Sequence, residues 1–190
     1  MWKKIISDFC IIKYYIGVYR KGILVMEENE RYKVSRSTMA LEPAQHPLYQ
    51  TKISDLKGTY YTRKSIRMLL NEACLNGGAG YSGRLESARW LLKHYKKTPL
   101  LICPLQRIYA FPTHSPKSHE CMWIFPRHLQ SFDDATHTAT FKNGTKLIVN
   151  CSPHVFHKQK GRAADLAIKL CKPDELRSIE YLSFRRPLKK

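Results

Sequence analysis

Acidic side chains are scarce in this chain: 15 aspartates and glutamates stand against 33 lysines and arginines over 190 residues, a formal charge of +18. A metal-dependent nuclease needs several carboxylates around its ions, so that class is disfavoured first. Close cysteine pairs are missing too. Cys10, Cys74, Cys103, Cys121, Cys151 and Cys171 are widely and irregularly spaced, with no Cys-x-x-Cys, whereas a disulfide scaffold is denser and follows a secretory signal. Met1 to Asp8 carries the basic residues of such a signal, but Asp8, Lys13 and Arg20 interrupt any apolar stretch. No apolar run approaches the roughly eighteen residues of a membrane span. A cytoplasmic chain with free thiols and no membrane contact is expected. Nucleophile elbows of the Gly-x-Ser-x-Gly type, Walker loops, internal repeats and low-complexity tracts are likewise lacking.

What is present is positive charge, unevenly placed. Residues 51–100 carry ten basic and three acidic side chains, residues 151–190 ten and four, and residues 101–150 only five and three. Two basic segments flank a nearly neutral one, which reads as a folding core between binding faces. The excess exceeds what solubility requires and points to a polyanion, nucleic acid before an anionic membrane.

Residue patterning predicts an α+β fold. Ile11 to Met26, rich in β-branched and aromatic residues around Arg20-Lys21-Gly22, reads as a hairpin. Ser37 to Leu41 forms a third short strand, and Pro43 to Thr59 reads as loop. A helix over about 62–76 follows from Ile66, Leu69, Leu70 and Ala73 on one face, with Thr62 as N-cap and Asn76-Gly77-Gly78 as stop. A second helix over about 82–95 buries Leu85, Ala88, Leu91 and Leu92. Strands are expected at Leu100–Cys103, Ile108–Phe111 and Met122–Phe125, then a hairpin turning at Asn143-Gly144. Pro153 to Cys171 reads as a helix weakened by Gly161. The expected architecture is an antiparallel sheet made from the N-terminal hairpin and the strands after residue 99, covered by the helical pair and a C-terminal helix. Residues 1–172 are read as one DNA-binding domain and 173–190 as a basic tail.

The loop Gly77-Gly78-Ala79-Gly80-Tyr81-Ser82-Gly83-Arg84 joins the two helices. It either presents backbone amides to a phosphate or is simply a tight turn. His114, His119, Cys121 and His128, and separately Cys151, His154 and His157, contain zinc-ligand residue types without the paired spacing such sites use, so no metal is placed. No cofactor and no catalytic group is expected.

Residues 74–156 resemble the ComK family of competence transcription factors. The resemblance is carried by Cys74, Gly78-Ala79-Gly80-Tyr81-Ser82-Gly83-Arg84, Thr98-Pro99-Leu100-Leu101, Ile108-Tyr109-Ala110-Phe111-Pro112-Thr113, Trp123-Ile124 and Thr140-Phe141-Lys142-Asn143-Gly144, in family order and spacing. The chain departs from the family at Ser152-Pro153, where Ser-Tyr is usual, and at Lys97-Thr98-Pro99, where Lys-Pro-Pro is usual. The resemblance implies an activator of DNA-uptake genes that binds paired A/T-rich promoter boxes as an oligomer, largely through the minor groove. It also implies delivery to a Clp protease by an adaptor, and a nucleoid location.

A narrow A/T minor groove concentrates negative potential that an inserted arginine reads. The expected reading element is Gly80, Tyr81, Ser82 and Arg84, with the Tyr81 and Ser82 hydroxyls donating to phosphates. Arg89, Lys93, Lys96 and Lys97 are expected to support it, and Arg107, Lys117 and Arg127 to widen the footprint. An RNA-binding or ribosome-associated protein accounts for the charge equally well, and a zinc enzyme would account for the histidines and cysteines.

Overall fold

The computed structural model describes residues 27–170, so the expected N-terminal hairpin and the basic tail lie outside the described residues. Among the described residues ten strands, three α-helices and a 3-10 turn at Pro126–His128 occur: β1 (Glu27–Glu28), β2 (Thr38–Pro43), β3 (Thr51–Asp55), β4 (Gly58–Thr62), α1 (Ile66–Asn76), α2 (Tyr81–Leu92), β5 (Leu100–Cys103), β6 (Ile108–Pro112), β7 (Trp123–Ile124), β8 (Leu129–Asp133), β9 (Thr138–Phe141), β10 (Lys146–Ile148) and α3 (Pro153–Leu170). A seven-stranded sheet has the order β1-β4-β3-β2-β7-β6-β5, and a three-stranded sheet the order β10-β9-β8. Every pairing is antiparallel except the short parallel edge β1–β4. The α+β class therefore stands.

The expected loop over 43–59 is corrected. Thr51-Lys52-Ile53-Ser54-Asp55 and Gly58-Thr59-Tyr60-Tyr61-Thr62 form a hairpin in the larger sheet, registered Asp55↔Gly58 through Thr51↔Thr62. Gly58 adopts φ 151°, which suits the tight return.

Both faces of the larger sheet are covered, which is why its central strands are continuously apolar. Leu41, Ile53, Leu100, Ile102 and Trp123 pack beneath Leu69, Leu70, Cys74 and Tyr81 of the helical pair. On the other face Met39, Phe111 and Ile124 meet Phe141, Leu147 and Phe156, from the small sheet and α3. Each fully buried side chain of this size contributes about 1.5–3 kcal/mol.

Helix α1 is capped by Ser65, whose side chain accepts from the Met68 amide, one turn later than the expected Thr62. Thr62 is buried at the end of β4 and donates to the Glu30 carboxylate. Helix α2 ends where Lys93 turns left-handed at φ 54°, short of residue 95. Pro153 opens α3, where a missing amide proton costs nothing. The preceding Ser152 accepts from the Val155 amide through its hydroxyl and from Phe156 through its carbonyl.

The register sorts the connections between the two ends of the larger sheet. At one end lie the turn before β2, the β3–β4 turn, the β5–β6 turn, the exit from β7 and the α1–α2 loop. Helix α2 then runs the length of the sheet, so its exit and the β6–β7 connection lie at the opposite end.

Candidate nucleic-acid interface

The glycine loop is rigidly seated. Gly78 takes φ 91°, while the Gly77, Gly78 and Ala79 amides bond back to the Ala73, Leu75 and Cys74 carbonyls, closing α1. The Tyr81 amide, at the start of α2, donates to Asn71 Oδ1 at 3.1 Å, so a side chain of α1 caps α2. Gly77 lies hard against β5: a Cβ there would stand 2.6 Å from the Ile102 carbonyl oxygen.

Arg84 folds back and donates from its guanidinium to the Gly77 carbonyl, and its buried Nε has no hydrogen-bond partner among the described residues. It lines a groove of about 180 Å³ together with Arg107 of the β5–β6 turn and with Tyr109, Leu166 and Leu170. Beneath it the Cys74 thiol is pushed up to about 11 by burial, against the opposing pull of the Arg84 charge.

Tyr81 is not a surface donor. The ring is 3% exposed, meets Trp123 edge-on at 6.3 Å between centroids and carries the Arg67 guanidinium 4.7 Å above it. The expected phosphate contact from its hydroxyl is corrected accordingly: as the first residue of α2, Tyr81 anchors the loop into the core, while Ser82 is exposed.

The fold divides the remaining expected cations. Arg127 follows β7 at the same sheet end as Arg84 and Arg107. Next to Arg127, His128 Nε2 donates to the Arg36 carbonyl, and its carbonyl accepts from the Lys142 amide at 2.8 Å. Burial, then the Arg127 and Lys142 charges, hold this imidazole below its ordinary range despite the Arg36 bond. Lys93, Lys96, Lys97 and Lys117 lie at the opposite end. Lys97 spends its ammonium on the Thr113 carbonyl at 3.2 Å, Lys93 stands 4.8 Å above the Trp90 ring, and the Lys96 carbonyl accepts from Arg162. Arg89, in the last turn of α2, is half-buried, with a buried Nε that has no hydrogen-bond partner among the described residues.

The His and Cys groups separate as well. Cys121 bonds the His114 carbonyl at 3.4 Å, whereas His128 stands at the other sheet end. Among the described residues no group of three or more His, Cys, Asp or Glu side chains is placed to hold a metal ion, and no helix is long and apolar enough to cross a membrane.

Sequence reasoning passed over Arg36, Lys57 and Lys142, each exposed in a turn at the end that carries Arg84. They are isolated cations in sequence. The missed signal was the β3–β4 hairpin, which would have placed Lys57 beside Arg36.

What the fold defines is a basic α+β protein whose loop cations are divided between the two ends of its larger sheet, with Arg84, Arg107 and Arg127 at one of them. Residues 29–175 match the ComK protein family, and the chain belongs to that family. It is 28% identical over 146 residues to the competence transcription factor of Bacillus subtilis (strain 168), a match covering 74% of this chain and 75% of that protein. No solved structure matches.

Proposed function

We propose that this chain activates transcription of competence genes by binding A/T-rich promoter DNA as an oligomer, with the glycine-loop end of its larger sheet against the minor groove. The observation that carries the reading is placement: Arg84, Arg107 and Arg127 come from three separate segments and lie at one sheet end, Arg84 and Arg107 lining a common groove. A short sheet end that presents guanidinium groups suits a narrow groove of high negative potential. The relative's name, a competence transcription factor, supplies the biological context. Arg84 supports this surface by holding the loop, and Arg107 stands beside it in the shared groove.

The test is fluorescence anisotropy with an A/T-boxed duplex, a G/C-rich duplex of equal length and a structured RNA, across a salt series. Tighter A/T binding that persists at physiological salt supports the reading. Equal binding to both duplexes that collapses together with salt, or preference for the RNA, overturns it. Sedimentation of the protein–DNA complex tests the oligomer.

A further inference from the structure

The two ends of the larger sheet differ in kind. Among the described residues, the connections at the glycine-loop end hold one acid, Asp55. It is 4% exposed and bonded by the Tyr32 hydroxyl at 2.6 Å, the Ser37 hydroxyl at 2.8 Å and the Lys57 amide at 3.0 Å. The opposite end mixes its cations with Glu28, Glu30, Glu42 and Glu120, and Lys52 is paired with Glu42 at 3.3 Å.

We infer that DNA lies across the glycine-loop end as one continuous phosphate track, extended beyond Arg84, Arg107 and Arg127 by Arg36, Lys57 and Lys142, and that the opposite end faces away from the duplex. This deepens the proposed reading and rests on it.

The strand order sets the sequence of cations along this edge. Lys57 sits in the β3–β4 turn, Arg36 before β2, Arg127 after β7 and Arg107 in the β5–β6 turn, with Arg84 next to it. Lys142 joins at the centre, because its amide bonds the carbonyl of His128. The Leu56 amide donates to the Ser37 carbonyl at 3.0 Å, which fixes the Lys57 turn beside the Arg36 turn. From the β3–β4 turn to the β5–β6 turn is four strand spacings of about 4.8 Å, roughly 19 Å in all. Duplex DNA advances about 3.4 Å per base pair along each strand, so the row matches about six base pairs. Polyanion binding is favoured where one sign dominates. The connections at this end carry cations with only the buried Asp55 among them, exposed Glu86 and Asp165 lying on the flanking helices, whereas the opposite end mixes both signs in its connections.

The experiment compares salt slopes of binding to the A/T duplex for wild type, for Arg36→Ala/Lys57→Ala/Lys142→Ala, for Arg107→Ala/Arg127→Ala, and for Lys93→Ala/Lys96→Ala/Lys117→Ala, with circular dichroism melts to verify folding. Each lost phosphate contact lowers the slope by about 0.9. The inference expects the first triple variant to lose about two to three units of slope while keeping its A/T preference, and the opposite-end triple variant to keep the wild-type slope. A first triple variant that binds like wild type, while Arg107→Ala/Arg127→Ala weakens, overturns the extended track and leaves the proposed function standing. An opposite-end variant that loses slope while the first triple variant does not reverses the orientation and overturns it too. Failure of the wild type to bind either duplex overturns the proposed function itself. Should Arg36→Ala disturb its turn, Lys57→Gln/Lys142→Gln carries the same test from exposed side chains.

Discussion

Arg84 reaches back seven residues to bond the carbonyl of Gly77, tying the first turn of α2 to the stop of α1. The sequence places Arg84 in the expected reading element, and its geometry also makes it the fastening of the loop. Replacing Arg84 by Ala is expected to cost about 1–3 kcal/mol, since a charge-assisted bond is lost and a carbonyl is left without its donor. Arg84→Lys should recover only part of this, because an ammonium lacks the fork of the guanidinium. Thermal melts of both variants check the stability, and A/T against G/C affinity checks whether a loosened loop also blurs preference.

Two glycines of the same loop should respond with opposite signs. Gly77→Ala would drive its Cβ to 2.6 Å from the Ile102 carbonyl oxygen, a collision with backbone that β5 cannot evade. A loss of about 1–3 kcal/mol is expected, as for overpacked core sites. Gly83, within α2, has nothing within 4 Å of an added Cβ. Gly83→Ala should therefore stabilise the fold by about 0.5–1 kcal/mol through helix propensity. Denaturant titrations of the pair measure both, and equal signs would refute the assignment.

His128 links acidity to the cationic edge. Its imidazole is held below the ordinary 6.5, first by burial and then by the Arg127 and Lys142 charges. Between that ordinary value and the lowered one, the unfolded chain binds more protons than the folded chain. The contribution to stability is thus complete above 6.5 and is lost as pH falls through the lowered folded value. Phosphates laid along this edge would favour the imidazolium, so duplex binding should tighten on acidification from about pH 7.5 to about pH 6. His128→Gln should flatten both profiles relative to wild type, and anisotropy titrations at fixed ionic strength provide the comparison.

Thiol chemistry offers a readout of the core beneath the helices. Burial pushes Cys74 and Cys121 up to about 11. At about pH 8 both should remain thiols and alkylate slowly, becoming fast only with denaturant, since the thiolate is the nucleophile. Peptide mass mapping after timed iodoacetamide treatment resolves the two sites, and prompt labelling of either in the native protein would contradict this packing.

Legibility in the sequence followed the strength of local periodicity. Ile66, Leu69, Leu70 and Ala73 announced α1, and Asn143-Gly144 announced the β9–β10 hairpin, because each signal is complete within a few residues. The β3–β4 hairpin was not visible. Thr51-Lys52-Ile53 and Thr59-Tyr60-Tyr61 are short and half polar, and Leu56-Lys57-Gly58 lacks a familiar two-residue turn signature. Strand β8 was missed for the same reason: only Leu129 in it is buried. That gap propagated to the site. A run such as Arg89, Lys93, Lys96 and Lys97 stands out in sequence, yet its last three members are carried to the far end of the sheet by α2. Arg36, Lys57 and Lys142 are neighbours only once the register is set. Tyr81 misled differently: glycines around it suggested a surface loop, while its ring closes the core against Trp123.

The cationic edge is assembled from turns that belong to five different strand connections and the α1–α2 loop, each positioned by ladders reaching across the sheet. On the proposed reading, the A/T preference of this edge is consequently a property of tertiary structure that no excised peptide carries, although its bare charge still attracts a polyanion. The difference in affinity between A/T-rich and G/C-rich duplexes should vanish at the same denaturant concentration as the near-ultraviolet signal of the buried aromatics, so discrimination between sequences becomes a direct gauge of how much of the protein is folded.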